Sequence, residues 1–205
     1  MKTLVQEKVE QAGRLLPEFG LDAWLTFVRE TSAGGDPVLP LIYGNAGLTW
    51  ESALILTARG ERIAIVGRYE EEAARVTGAY DAVIPYDESI RPPLVEVLTR
   101  LNPGVIGINT SLSDVHADGL SHGMYILLQR YLEGTPYPDR FTSAEKLSAA
   151  LRGRKTPVEV ARIRKAVALT EQIFEQTYAA IQPGMTDREV HAMMQAQVKD
   201  LGLGL

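Results

Sequence analysis

The chain has 205 residues, 45% of them hydrophobic, a formal net charge of -5 and no cysteine. That is apolar material enough for one fair-sized domain or one and a half small ones. A negative chain without a basic run offers no footprint for nucleic acid or anionic lipid, and the lack of thiols excludes a disulfide framework, a thiolate zinc site and a cysteine nucleophile.

Charged Lys2, Glu7, Lys8, Glu10 and Arg14 interrupt the apolar pattern of the first twenty residues and break up any signal-peptide core. No stretch comes near the roughly 18 uncharged apolar residues that span a bilayer. The expectation is a cytoplasmic protein with neither nucleic acid nor membrane as a partner. Val5, Val9, Ala12, Leu16 and Phe19 recur at three- and four-residue steps, which predicts an amphipathic helix stopped at Gly20. A strand follows over residues 22–28 (DAWLTFV), and residues 31–40, rich in Gly, Pro and small polar side chains, read as an exposed loop. Residues 53–57 and 62–66 are β-branched and apolar, with Gly60 between them, so they form a hairpin and the sheet is not purely parallel.

Residues 69–76 predict a short helix ended by Gly78, and residues 82–84 a short strand closed by Pro85. A helix over 92–101 carries proline in its first turn, and a buried strand follows at 105–108. Met124, Leu127, Leu128 and Tyr131 share one face of a helix over 120–132, which the two prolines of residues 135–139 terminate. This alternation predicts one layered α/β domain over residues 1–140. Residues 141–155 read as a linker holding a short helix (144–151) and a basic, solvated connection, Arg152 to Lys155.

Two helices make up residues 156–205. Thr156 and Glu159 form a capping box with Pro157 at the first helical position. Val160, Ile163, Val167, Thr170, Phe174, Thr177 and Ile181 then mark a stripe of about seven turns, closing at Pro183-Gly184. Thr186 and Glu189 form a second capping box, opening a helix that turns Val190, Met193, Met194, Val198 and Leu201 inward. Both helices need an apolar surface, and no strand follows residue 155. The expectation is that they dock on the first domain, or on a sheet lying beyond residue 205.

Few residues offer chemistry. Asp114-Val115-His116-Ala117-Asp118 would, if extended, put two carboxylates and an imidazole on one face, but Asp118 before Gly119 is ordinary turn chemistry and the segment reads as a polar loop. His122 reads as helix-entry surface, and His191 lacks the i, i+4 partner of a helical zinc motif. There is no Gly-x-Ser-x-Gly elbow, and neither Gly34-Gly35 nor Gly44 to Gly47 matches a phosphate-binding loop. No catalytic residue and no metal ligand is assigned.

Residues 151–202, with Lys155, Pro157 and Glu159, Ile163-Arg164-Lys165-Ala166 and residues 181–189 (IQPGMTDRE), resemble the entry into the catalytic domain of creatinase-like and Xaa-Pro peptidases. Ile108-Asn109, residues 117–123 (ADGLSHG), Gly20-Leu21-Asp22-Ala23 and Tyr43-Gly44 resemble the amino-terminal domain of the same creatinase/aminopeptidase-P-like family. The resemblance implies a mixed-sheet α/β domain with ribonuclease-H-like layering, then two helices of an incomplete "pita-bread" metallopeptidase domain. It also implies that the parent protein holds two divalent ions (Mn, Co or Zn) on two Asp, one His and two Glu, where a metal-bound hydroxide attacks a polarised carbonyl. No position here matches those ligands, so the chain alone is expected to bind no metal and to be inactive. The implied partners are a second copy in a homodimer and a proline-containing peptide substrate for the parent. Because this domain can line the neighbouring subunit's active-site mouth in the family, Trp50 and Tyr43, beside a glycine loop, are the substrate-access candidates; the competing reading packs both against the sheet edge. Three alternatives stay open: a catalytically inactive peptide-binding or scaffolding module, a creatinase-like C–N hydrolase parent, and a complete chain whose last helices pack on a partner copy.

Overall fold

Alternation along DAWLTFV sends Trp24 and Val28 to one side of a strand and Leu25 and Phe27 to the other. In the computed structural model both sides are covered: β1 (Ala23–Val28) is buried along its whole length, inside a six-stranded sheet. Residues 2–31 and 34–203 are described; residues 32–33 of the expected 31–40 loop and the last two residues of the Leu-Gly-Leu-Gly-Leu run lie outside them. The other strands are β2 (Ser52–Thr57), β3 (Arg62–Gly67), β4 (Ala82–Tyr86), β5 (Ile106–Ile108) and β6 (Phe141–Ser143), in the spatial order β4-β3-β2-β1-β5-β6. β1, β2 and β3 form an antiparallel meander, with Leu25 opposite Ile55 and Ile55 opposite Ile63. β4 joins β3, β5 joins β1 and β6 joins β5 in parallel, so the sheet is mixed, as the hairpin predicted. Gly60 makes the β2–β3 turn at φ 93°, a backbone region costly for other residues.

Helices cover both faces. On one lie α1 (Leu4–Leu15), α2 (Leu39–Ile42), α3 (Glu71–Val76) and α6 (Glu145–Gly153), whose Val9, Ala12, Ile42, Ala74, Leu147 and Leu151 pack around Trp24, Leu54, Leu56 and Val66. On the other lie α4 (Arg91–Leu101) and α5 (His122–Tyr131), whose Leu94, Val97, Leu98, Met124 and Leu128 pack on Leu25, Phe27, Ile55, Ile63 and Ile108. This is the layered α/β fold expected from the alternation of elements.

Three expectations are corrected. Residues 141–155 are not a linker: Phe141–Ser143 is the sixth strand, and α6 buries Leu147 and Leu151 completely in the core. The chain divides into two compact units, Met1–Lys155 and Thr156–Leu205. Residues 31–40 are not simply exposed, because Asp36, Val38 and Leu39 are buried and Leu39 begins α2. Pro85 does not close β4, which runs one residue past it; a strand paired on one side only tolerates the missing amide. Lys8, one of the charges that interrupt the apolar pattern of the first twenty residues, is wholly buried, its Nζ donating to the carbonyls of Leu151 (2.8 Å) and Arg154 (3.1 Å) and to Gln11 Oε1 (3.1 Å). Leu151 stands in the last turn of α6 and Arg154 caps it, so the cation also meets the negative end of the helix dipole.

The second unit is a helical hairpin of α7 (Pro157–Ala180) and α8 (Asp187–Asp200). Both capping boxes are present: Thr156 Oγ1 accepts from the Glu159 amide and Thr186 Oγ1 from the Glu189 amide, each at 3.3 Å. Ile173 and Thr177 are buried, and Gln197 of α8 donates to Thr177 Oγ1 at 3.1 Å. Ile163, Val167, Phe174 and Ile181 of the same stripe are exposed.

Candidate functional site

Trp50 sits just before β2, at the end of a loop tied to the sheet by the Glu30 amide, which donates to the Leu48 carbonyl at 2.6 Å. Its ring is packed on two sides: Tyr69 meets it edge-on (centroids 5.9 Å apart, 90° between planes) and Tyr86 lies tilted at 5.9 Å and 44°. Tyr86 Oη donates to the Glu51 carbonyl at 2.7 Å, fixing that side of the corner. Burial pushes the Tyr86 phenol well up, reinforced by the charges of Glu51 and Glu70, so it stays a neutral donor. Trp50 remains 37% exposed and Tyr69 88%. An aromatic ring partly open to solvent beside a sheet can stack on a flat or apolar ligand group.

Tyr43 does not share this corner. It is 2% exposed, inside the core that contains α1 and α2, with its ring tilted against Tyr80 at 6.5 Å. Burial, then the charge of Glu70, pushes its phenol up to about 12, and its hydroxyl meets no partner among the described residues. Tyr43 is therefore corrected from a substrate-access candidate to a core residue, because it caps α2, whose buried face packs into that core.

Sequence reasoning missed a buried polar hub. Asn109, at the end of β5, is 1% exposed and takes the Trp24 indole N–H on its Oδ1 at 2.6 Å. Its Nδ2 donates to Asp36 Oδ2 at 2.8 Å and to Thr26 Oγ1 at 3.2 Å, while Asp36 Oδ1 accepts the Val38 amide at 2.9 Å. Burial pushes the Asp36 carboxyl up; the Val38 and Asn109 donors pull the other way. No pattern in a Gly-Pro-rich loop announces such an aspartate; only the β1–β5 pairing brings its partners together.

Beyond β5 and β6 lies an open cleft of about 710 Å³ lined by Ser111, Ser113, Asp118, His122, Tyr125 and Glu145. Glu145 accepts from both serine hydroxyls, and Asp118 Oδ1 from the Ser111 amide at 3.2 Å. Asp114 Oδ1 accepts the His116 amide at 2.9 Å and faces its ring Nδ1 at 3.2 Å, which holds the Asp114 carboxyl below the usual range. These are turn-closing bonds, so Asp114 and Asp118 serve the loop, as the polar-loop reading has it. His122 and His191 are exposed. Among the described residues no group of three or more His, Asp or Glu could hold a metal ion, so the residues present do not fit a two-metal centre. No helix among them is long and apolar enough to cross a membrane.

A mixed α/β domain with helices on both faces, an aromatic corner at one end and a helical hairpin after it defines the class of structure. Sequence comparison finds no matching family model and no matching curated protein. Structural comparison is informative. The chain is similar to an Xaa-Pro dipeptidase from Bacillus anthracis (TM-score 0.60, 16% identity, covering 96% of this chain and 49% of that one). It is similar likewise to an X-Pro aminopeptidase from Thermotoga maritima (TM-score 0.58, 18% identity, 95% and 49%). The amino-terminal domain of an Xaa-Pro dipeptidase from Lactobacillus brevis matches 69% of this chain over 97% of its own length (TM-score 0.50, 12% identity). The fold expected from the resemblance is thus the fold observed, and the chain spans about half the length of the two whole peptidases it matches.

Proposed function

We propose that this chain is the amino-terminal, non-catalytic portion of a metal-dependent Xaa-Pro aminopeptidase or dipeptidase, contributing to homodimer assembly and to substrate access. The observation that carries the reading is the continuous match of 95–96% of this chain to 49% of two Xaa-Pro peptidases, spanning both of its compact units. Since the described residues gather no metal ligands, the two divalent ions (Mn, Co or Zn) belong to a complementary half, and this chain supplies shape and contacts rather than bond-breaking groups. Trp50 is its residue on the substrate path: its ring packs on Tyr69 and Tyr86 yet stays partly open to solvent, and a proline-containing peptide presents an apolar ring for it to stack on. The acidic, cysteine-free composition agrees with a cytoplasmic location.

The test is to express the whole reading frame that contains these residues and assay an Xaa-Pro dipeptide with added manganese. Metal-dependent hydrolysis is expected from the whole product and none from the 205-residue chain. Trp50→Ala in the whole product raises KM and leaves the dimer intact by sedimentation. A folded whole product inert with every divalent metal makes the chain part of a binding module instead, and unchanged KM removes Trp50 from the substrate path.

A further inference from the structure

Besides the Ser52 hydroxyl, which donates to the Trp50 carbonyl at 3.1 Å, the Trp50 loop is held from across the sheet. The antiparallel register, Ala53 opposite Ile65, brings the residues before β2 alongside those after β3. There the turn Arg68–Glu70 places the Glu70 carboxylate under the loop, and its Oε1 accepts two successive amides, Thr49 at 2.6 Å and Trp50 at 3.0 Å. Bonds to an ionised acceptor are the stronger kind. The other oxygen, Oε2, is buried and meets no partner among the described residues, so the two amide bonds are what holds this carboxylate in place.

Gly67 supplies the room. A Cβ built there would lie 2.6 Å from Glu70 Oε2 and 2.7 and 3.0 Å from two carbons of the Trp50 indole. Carboxylate and indole are therefore seated side by side on one bare backbone, and neither can move toward it if any side chain is added.

We propose that Glu70 is the positioning residue of Trp50, with Gly67 as the seat that both share: the carboxylate fixes the loop backbone, and so decides where the indole edge stands. The consequence for substrate rests on the reading of Trp50 given above; the positioning itself does not.

The test uses the 205-residue chain and the accessibility of its tryptophans to acrylamide. The chain has two tryptophans, and Trp24 is 1% exposed, so quenching reports Trp50; Trp50→Phe verifies the assignment. In Glu70→Ala, with folding checked by circular dichroism, the quenching constant is expected to rise about twofold, since both amide anchors are lost. Glu70→Gln keeps an acceptor oxygen and is expected to restore most of the protection. Gly67→Ala, which leaves the carboxylate chemistry intact but takes its seat, is expected to shift quenching in the same direction as Glu70→Ala. Unchanged quenching in folded Glu70→Ala or folded Gly67→Ala overturns the proposal; if Glu70→Ala does not fold, Gly67→Ala decides. In the complete peptidase Glu70→Ala raises KM with kcat held within about twofold. Raised quenching with unchanged KM leaves Glu70 as the positioning residue and overturns the substrate-access reading.

Discussion

Replacing Asn109 by Ala removes the centre of the buried hub and leaves its partners behind. The Trp24 indole N–H, 1% exposed, loses its acceptor at 2.6 Å, and Asp36 loses one of its two donors. An orphaned buried donor costs about 1–3 kcal/mol, and a hydrogen bond to a charged group is worth about 1.5–3 kcal/mol. The expected loss at neutral pH is about 3–5 kcal/mol, after some allowance for relaxation. Urea unfolding followed by tryptophan fluorescence measures it, because Trp24 and Trp50 both lie in the first unit. The loss also depends on pH. Burial holds the Asp36 carboxyl above its ordinary value in the folded state, and the Asn109 bond is one of the contacts that lower it. Without Asn109 the folded carboxyl moves further up. Between the unfolded and folded values the native state binds more protons, so stability falls as pH rises through that window. The penalty is therefore smallest below the ordinary carboxylate range, near pH 4, and grows toward neutrality. A loss under about 1 kcal/mol, or one that does not vary with pH, refutes the reasoning.

Gly119→Ala puts a methyl group 2.1 Å from the Asp36 carboxylate, which its bonds to the Val38 amide and Asn109 do not let retreat, and a stability loss of about 1–3 kcal/mol or more is expected in the same urea assay. Removing the obstacle as well, in Gly119→Ala with Asp36→Ala, is expected to show strong coupling in a double-mutant cycle. At the other edge of the sheet Arg62 donates to Asp81 Oδ2 at 3.0 Å and lowers that carboxyl, chiefly through the side-chain hydrogen bond. Such a group contributes stability that is present above its unfolded value and lost as pH falls through the folded one. Arg62→Met is expected to flatten that acid limb while costing less than about 1 kcal/mol at neutral pH, because the pair is substantially exposed. A titration of stability against pH in both proteins checks it.

Strong periodicity made most of the fold legible: β1, the β2–β3 hairpin, α4, α5 and the two capped helices lie where their apolar patterns and turn residues put them. What escaped has a physical reason. β6 is Phe-Thr-Ser, three half-buried or exposed residues with no alternation to read, and it is a strand only because β5 stands beside it. Lys8 and Asp36 are charged residues that long-range partners allow to be buried, and those partners are more than seventy residues away. Trp50 drew notice as an aromatic near glycines, but Glu70 could not, since it acts through backbone amides that every residue type shares. Tyr43 misled for the same reason that Trp50 did not: proximity to a glycine loop says nothing of which way a ring turns.

Lys8 reaches carbonyls 143 and 146 positions later, and Gln11 reinforces it by donating to Arg154 at 2.9 Å. Within this unit α1 is made well before its acceptors, and until residue 154 is present its ammonium must stay in water and its apolar face must wait for Leu147 and Leu151. A buried cation stripped of its partners costs several kcal/mol, so a product cut at residue 140 would be held open by its own amino-terminal helix. Closure of the domain is set at its far end, and the first unit becomes a single cooperative piece only when both of its termini are in hand.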